Sequence, residues 1–143
     1  MSTTDPELPD HLEPHARINA ALMVSFGEVV PGREHLASES LVEVSRFLGG
    51  ALSDDRISHF TPYFFTDGPL ADVVGFFLVE AESRRQLFEL RTDPEFEEIL
   101  AKAVVSVRNI RLNTMHTGSE AGRILNLHRR VRNEIDGRPQ PSS

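Results

Sequence analysis

The sequence contains neither cysteine nor tryptophan among its 143 residues. Without thiols there is no disulfide framework, no thiolate metal site and no cysteine nucleophile. Lysine is nearly missing: Lys102 stands alone against fourteen arginines, a ratio that reads as coding bias. That leaves Lys102 as the one Schiff-base candidate, set among helix-surface charges. Positive charge is also short, with 22 acids and 15 bases giving a net charge of −7. Phosphate binding needs clustered positive charge, so nucleic acid is not the expected partner. No apolar run reaches the ~20 residues of a membrane span, and no basic-plus-apolar signal opens the chain. The expectation is a soluble, cytoplasmic protein with no membrane partner.

What the chain does have is enough apolar content, 39% hydrophobic, for one domain of ordinary size. Its charge is unevenly placed: residues 1–19 sum to −3, residues 20–118 to −6 and residues 119–143 to +2. Pro6, Pro9 and Pro14 lie among the first acids, so 1–19 reads as a flexible acidic arm. Residues 20–118 read as an α+β domain, 119–135 as a C-terminal helix, and 136–143, with Gly137, Pro139 and Pro141, as a disordered tail.

The elements are expected in a regular order. Ala20 to Val30 is a Val- and Phe-rich strand stopped by Pro31-Gly32. Arg33 to Gly49 is a helix with Ala37, Leu41, Val44 and Leu48 on one face, and Gly49-Gly50 is its expected stop. Ile57 to Phe65 is a strand that Pro62 assigns to an edge or a bulge. Thr66-Asp67-Gly68-Pro69 then turns the chain into Val73 to Glu80 as a hairpin partner. Ser83 with Gln86 forms a capping box for a short helix to Arg91. Asp93 as N-cap and Pro94 at the first position open the next, whose apolar face is Phe96, Ile99, Leu100, Ala103 and Val107. From Arg108 to His116 the period becomes two, with Ile110, Leu112 and Thr114 on one side. Gly118-Ser119 starts the last helix, with Ala121, Ile124, Leu125, His128, Val131 and Ile135 on a stripe.

This β-α-β-β-α-β order is the ferredoxin-like arrangement, a four-stranded antiparallel sheet with helices on one face. Such a sheet should show one polar face. Val73 to Glu80 does not: Val73, Gly75, Phe77 and Val79 alternate with Val74, Phe76 and Leu78. Each large side chain taken out of water contributes ~1.5–3 kcal/mol, so the second face calls for a cover. The cover is either the terminal helix or the sheet of a second copy, and a homodimer is the expected answer.

The run Val74-Gly75-Phe76-Phe77-Leu78-Val79, then Leu87, Leu90 and Asp93-Pro94-Glu95-Phe96, resembles the dimeric α+β barrel superfamily over about residues 20–118. Pro31-Gly32-Arg33-Glu34 before an amphipathic helix is similar to its small bacterial members. The resemblance implies two ferredoxin-like sheets packed face to face. It spans cofactor-free monooxygenases, haem-degrading enzymes, muconolactone-type isomerases, YCII-like proteins and stress proteins, so the fold alone does not choose a chemistry. Haem degradation there commonly involves a Trp with a His and an Asn, and the missing Trp disfavours it.

Candidate site residues come from the strand faces. His59 and Tyr63 share a face ~13 Å apart along their strand, and either lines a cavity as acid, base or donor or is an edge-strand surface residue. Arg111 between Asn109 and Asn113 either holds a carboxylate or protects an edge strand. Ser25, Gly27 and Gly75 leave room for a ligand or for close backbone approach, and Phe77 is a candidate pocket wall. The histidines show no metal-ligand spacing, and no cofactor is called for. Arg33-Glu34 reads as an anion contact or simple helix-start electrostatics, and His128-Arg129-Arg130-Val131-Arg132 as a solvated helix face or a partner of the acidic arm. The expected function is binding of a small, largely apolar organic ligand by a homodimer, with or without cofactor-independent monooxygenase or isomerase chemistry. The rival is a non-catalytic dimeric interaction or stress-related protein.

Overall fold

The computed structural model describes residues 18–137. The order is β1 (Ala20–Phe26), α1 (Glu34–Ser53), β2 (His59–Phe64), β3 (Gly75–Ala81), α2 (Arg84–Arg91), α3 (Pro94–Ser106), β4 (Arg111–His116) and α4 (Gly118–Asp136). This is the ferredoxin-like order with a terminal helix appended. The arm expected over 1–19 lies outside the described residues apart from Ile18 and Asn19, as does the tail expected over 136–143 apart from Asp136 and Gly137.

The four strands form one antiparallel sheet in the order β2-β3-β1-β4. β2 is therefore an edge, where Pro62 lacks only an amide that no neighbour needs. Register assigns every side chain to a face. Leu22 pairs with Val79 and Thr114, Val24 with Phe77 and Leu112, and Phe26 with Gly75, all on the helix side. The alternate positions, Ala21, Met23 and Ser25 on β1 with Phe76, Leu78 and Glu80 on β3, make the second face. Gly75 is required by close approach: a Cβ there would collide with the Tyr63 carbonyl across the hairpin. At Gly27 a Cβ would lie 2.7 Å from the Asp72 carbonyl oxygen.

The helices follow their local chemistry. The Ser83 hydroxyl accepts from the Gln86 amide while the Gln86 side chain accepts from the Ser83 amide, so α2 starts with the expected capping box. The Asp93 carboxylate accepts from the Glu95 amide at 2.8 Å and Pro94 fills the first position of α3. α1 departs from expectation by running through Gly49-Gly50 to Ser53. Two glycines cost a helix ~1 kcal/mol each, but Ala51, buried one turn after Phe47 and Leu48, rewards continuation. The helix stops only at Asp54-Asp55, where Asp55 turns to φ 59°. Phe47 stacks on Phe96 at 5.2 Å between α1 and α3, and Leu22, Leu48, Val79, Leu87, Leu90 and Phe96 are the heart of the core.

α4 leaves this body instead of lying across the second sheet face. None of its residues is buried, and no strand packs along it. Its root is held by Asn19, whose side-chain oxygen accepts from the Ser119 amide (3.1 Å) and hydroxyl (2.6 Å), while the Thr117 amide donates to the Asn19 carbonyl.

Phe96→Ala should cost about 3–5 kcal/mol in urea unfolding through the cavity it leaves, whereas Phe88→Ala, on the exposed side of α2, should stay within about 0.5 kcal/mol. A second expectation concerns the α3 cap. Desolvation raises the Asp93 carboxyl pKa, but the Glu95 amide and the Arg56 guanidinium at 2.9 Å outweigh it and hold it below the ordinary value. A carboxyl depressed by folding stabilises fully above its unfolded pKa and loses that contribution as pH falls through its folded one. The stability gap between wild type and Asp93→Asn should therefore be largest near neutrality and close progressively below pH ~4, read by urea midpoints.

Candidate ligand pocket and the open sheet face

Two places in the fold could do chemistry, and they lie on opposite sides of the sheet. The first is a pocket of about 300 Å³ between the helix side of the sheet and the facing sides of α1 and α3. Val24, Phe26, Phe64 and Phe77 form its sheet wall, and Ala37, Leu41, Val44, Leu100, Ala103 and Val107 its helix wall. It exists because Ala37, Ser40 and Ala103 are short where the helices face the widening end of the sheet. A larger residue at any of them would fill it. Its polar groups are few: Glu28 and Glu34 at the rim, and Ser38 and Ser40 on α1. Ser40 is buried, and its hydroxyl has no hydrogen-bond partner among the described residues. A concave apolar space of this size with isolated polar groups is the common design of a small-molecule site.

The second place is the open sheet face. Register arranges it in three rows: Tyr63-Phe76-Ser25-Arg111, Thr61-Leu78-Met23-Asn113 and His59-Glu80-Ala21-Met115. The sequence-predicted residues are thus distributed as follows. Tyr63, Ser25 and Arg111 share one row, Asn113 stands in the next, and His59 is in the third. Phe77 belongs to the other face, where it is buried and walls the pocket. His59 and Tyr63 are on one edge strand and Arg111 and Asn113 on the other, ~14 Å away across three strand spacings. They face one side without forming a cluster.

Local contacts account for most of these side chains. Tyr63 stacks on Phe76 at 5.0 Å, and the His59 ring lies 3.1 Å from the Thr61 hydroxyl. Arg111 donates two bonds to Asp72, at 2.9 and 2.6 Å, from β4 to the β2–β3 connection. That bidentate pair lowers the Asp72 pKa, chiefly by its hydrogen bond, and raises that of Arg111 for the same reason. Arg33 donates to the Val105 carbonyl at 2.9 Å, bridging the start of α1 to the end of α3. The catalytic candidates and the pocket are consequently separated by the sheet. A ligand seated among Ala37, Val44 and Phe77 reaches neither His59 nor Tyr63.

The pocket residues were present in the sequence as the apolar faces of two helices, without a sign that they stop short of filling the space. The available signal was volume, in Ala37, Ser40 and Ala103 at core-facing positions. Among the described residues no group of three His, Asp or Glu side chains is placed to hold a metal, and no helix is long and apolar enough to cross a membrane.

No protein-family model and no curated protein matches the chain. Solved structures do. A DABB-family protein with a ferredoxin-like fold from Mesorhizobium loti is similar at TM-score 0.54 and 12% identity, over 68% of this chain and 95% of that one. A dimeric ferredoxin-like protein of unknown function from Thermobifida fusca gives TM-score 0.54 at 6% identity, over 69% and 92%. The hydroxynitrile lyase of Passiflora edulis gives 0.53 at 8% identity, over 68% and 93%. Nearly the whole of each solved chain is matched by about seven-tenths of this one, the share that Ala20 to His116 occupies. At such identities the likeness speaks of backbone only, and what it establishes is that this chain has a ferredoxin-like α+β fold.

Proposed function

We propose that the protein is a homodimer, paired through the open sheet faces, in which each protomer binds a small, largely apolar organic molecule in the pocket between sheet and helices. The carrying observation is the pocket itself: about 300 Å³, mostly apolar, with the Ser40 hydroxyl, unpartnered among the described residues, as an internal hydrogen-bonding point. Pairing is supported by Met23, Phe76 and Leu78, which stay half-exposed on a face that α4 does not cover, and by the dimeric state described for ferredoxin-like proteins of similar backbone. In the pair, Tyr63, Ser25, Arg111, Asn113 and His59 line the space between the two sheets.

A catalytic form of this reading is a cofactor-independent isomerase or monooxygenase. Among the described residues Glu28 and Glu34 are the titratable groups on the pocket wall, so proton transfer at a bound molecule would fall to a carboxylate. The non-catalytic reading is favoured by a different observation, that His59, Tyr63 and Arg111 all lie on the face assigned to pairing.

Two measurements test the proposal. Titration with the neutral fluorophore N-phenyl-1-naphthylamine should give one site per protomer, and Ala37→Phe, which fills the pocket, should weaken it by roughly tenfold or more without lowering the unfolding midpoint. Unchanged affinity in that variant places the probe elsewhere and ends the pocket reading. Light scattering should give twice the 16.0 kDa chain mass. Met23→Glu should give a folded monomer, because pairing would bury two unpaired carboxylates in the middle of the apolar face. A wild-type monomer, or a variant that still pairs, rules out this interface.

A further inference from the structure

The pocket between sheet and helices carries charge of one sign. Its charged groups are Glu28, on the connection from β1 to α1, and Glu34, at the start of α1, and among the described residues no Lys, Arg or His lines it. Neither glutamate takes part in an ion pair among the described residues. Glu34 accepts one bond, from the Gly32 amide at 3.3 Å, and its charge suits a helix start. Glu28 has no such account. Its backbone carbonyl accepts from the Arg108 amide, but its carboxylate has no hydrogen bond among the described residues. Arg33, next to Glu34 in the chain, is turned to the Val105 carbonyl.

Two further features of the same lining point to what would sit there. Phe26, two residues before Glu28, meets Phe64 edge to face at 5.7 Å, and Phe64 is 52% exposed. The face of such a ring is negative and attracts an ammonium group, as a carboxylate does. Ser40 is 7% exposed, and its hydroxyl has no hydrogen-bond partner among the described residues. A buried hydroxyl left unpaired is unfavourable, so it calls for a ligand atom to pair with. Ser40 follows Glu34 by six residues, ~9 Å along the α1 axis. The walls around them, Val24, Phe77, Leu100 and Val107, are apolar.

We propose that the pocket takes a small organic amine in its protonated form, with a second hydrogen-bonding group at the far end of an apolar body. The ammonium sits at Glu28 and Glu34 beside the Phe26–Phe64 pair, the body lies against Phe77 and Leu100, and the far group meets the Ser40 hydroxyl. An anion of the same shape meets two carboxylates without a counter-charge and is turned away. The proposal rests on the ligand-pocket reading above and adds to it the sign of the ligand's charge.

Calorimetry at neutral pH and low ionic strength, where exposed charges are screened least, tests this with tyramine and its near-isosteric anion 3-(4-hydroxyphenyl)propionate. Tyramine should bind once per protomer and roughly tenfold or more tighter than the anion. Glu28→Gln with Glu34→Gln should bring the two to within about twofold, both side chains being exposed enough to leave the fold in place. Tyramine should also bind several-fold tighter than 2-phenylethylamine, which lacks the hydroxyl, and Ser40→Ala should erase that difference. The proposal is overturned if the anion binds the wild type as tightly as tyramine, or if either variant keeps the wild-type preference. Ala37→Phe separates this from the pocket reading. Loss of N-phenyl-1-naphthylamine in that variant, together with equal binding of amine and anion by the wild type, leaves the pocket standing and removes its charge preference. Tyramine binding untouched by Ala37→Phe overturns the proposal too, because the amine then sits elsewhere.

Discussion

The structure turns on a mismatch between a sheet that carries large apolar side chains on both faces and a helix layer that covers one. β1, between β3 and β4, places Leu22 and Val24 against the helices and Met23 on the opposite face. Alternation makes this unavoidable, because successive side chains in a strand point to opposite sides. The helix side is closed by Phe96, Leu48, Leu87 and Leu90. The other side has Phe76, Leu78 and Met23, and no element among the described residues buries them. The pairing proposed above would resolve that mismatch without any change in the protomer.

The pocket arises from a second, smaller imbalance on the covered side. Where α1 and α3 lie over the β2-β3-β1 end of the sheet, short side chains face it and the layers do not meet. Further along, Phe47 and Phe96 stack and the same interface is solid. One interface thus serves as both core and candidate binding site, graded by side-chain volume. This grading keeps the candidate ligand site on the side of the sheet opposite the open face, so a ligand there would not compete with the proposed pairing.

How much of this was legible in the sequence depends on the range of the interaction involved. The capping box at Ser83 and the Asp93-Pro94 start were readable because cap chemistry is decided within four residues. Pro62 pointed to an edge strand or a bulge, and β2 is an edge, where a missing amide is tolerated because no neighbour needs it. Gly49-Gly50 misled as a stop, because burial of Ala51 beyond it outweighs a local propensity. His59, Tyr63, Arg111 and Asn113 were placed on consistent strand faces, but their distance across the sheet depends on strand order, which no single strand encodes. The pocket was not visible, since a gap between layers is a property of two helices and a sheet together.

The sequence by itself determined the element order, the caps, the two-sided apolarity of the strand read over Val73 to Glu80 and the charge contrast between the body and the terminal helix. All of these follow from residue type and spacing along the chain. Only the tertiary structure decided which face the helices cover, that β2 and β4 are the two edges, that His59 and Tyr63 lie across the sheet from the pocket, and that α4 buries none of its residues. These depend on which segments become neighbours in space, and that choice is made by burial summed over the whole chain.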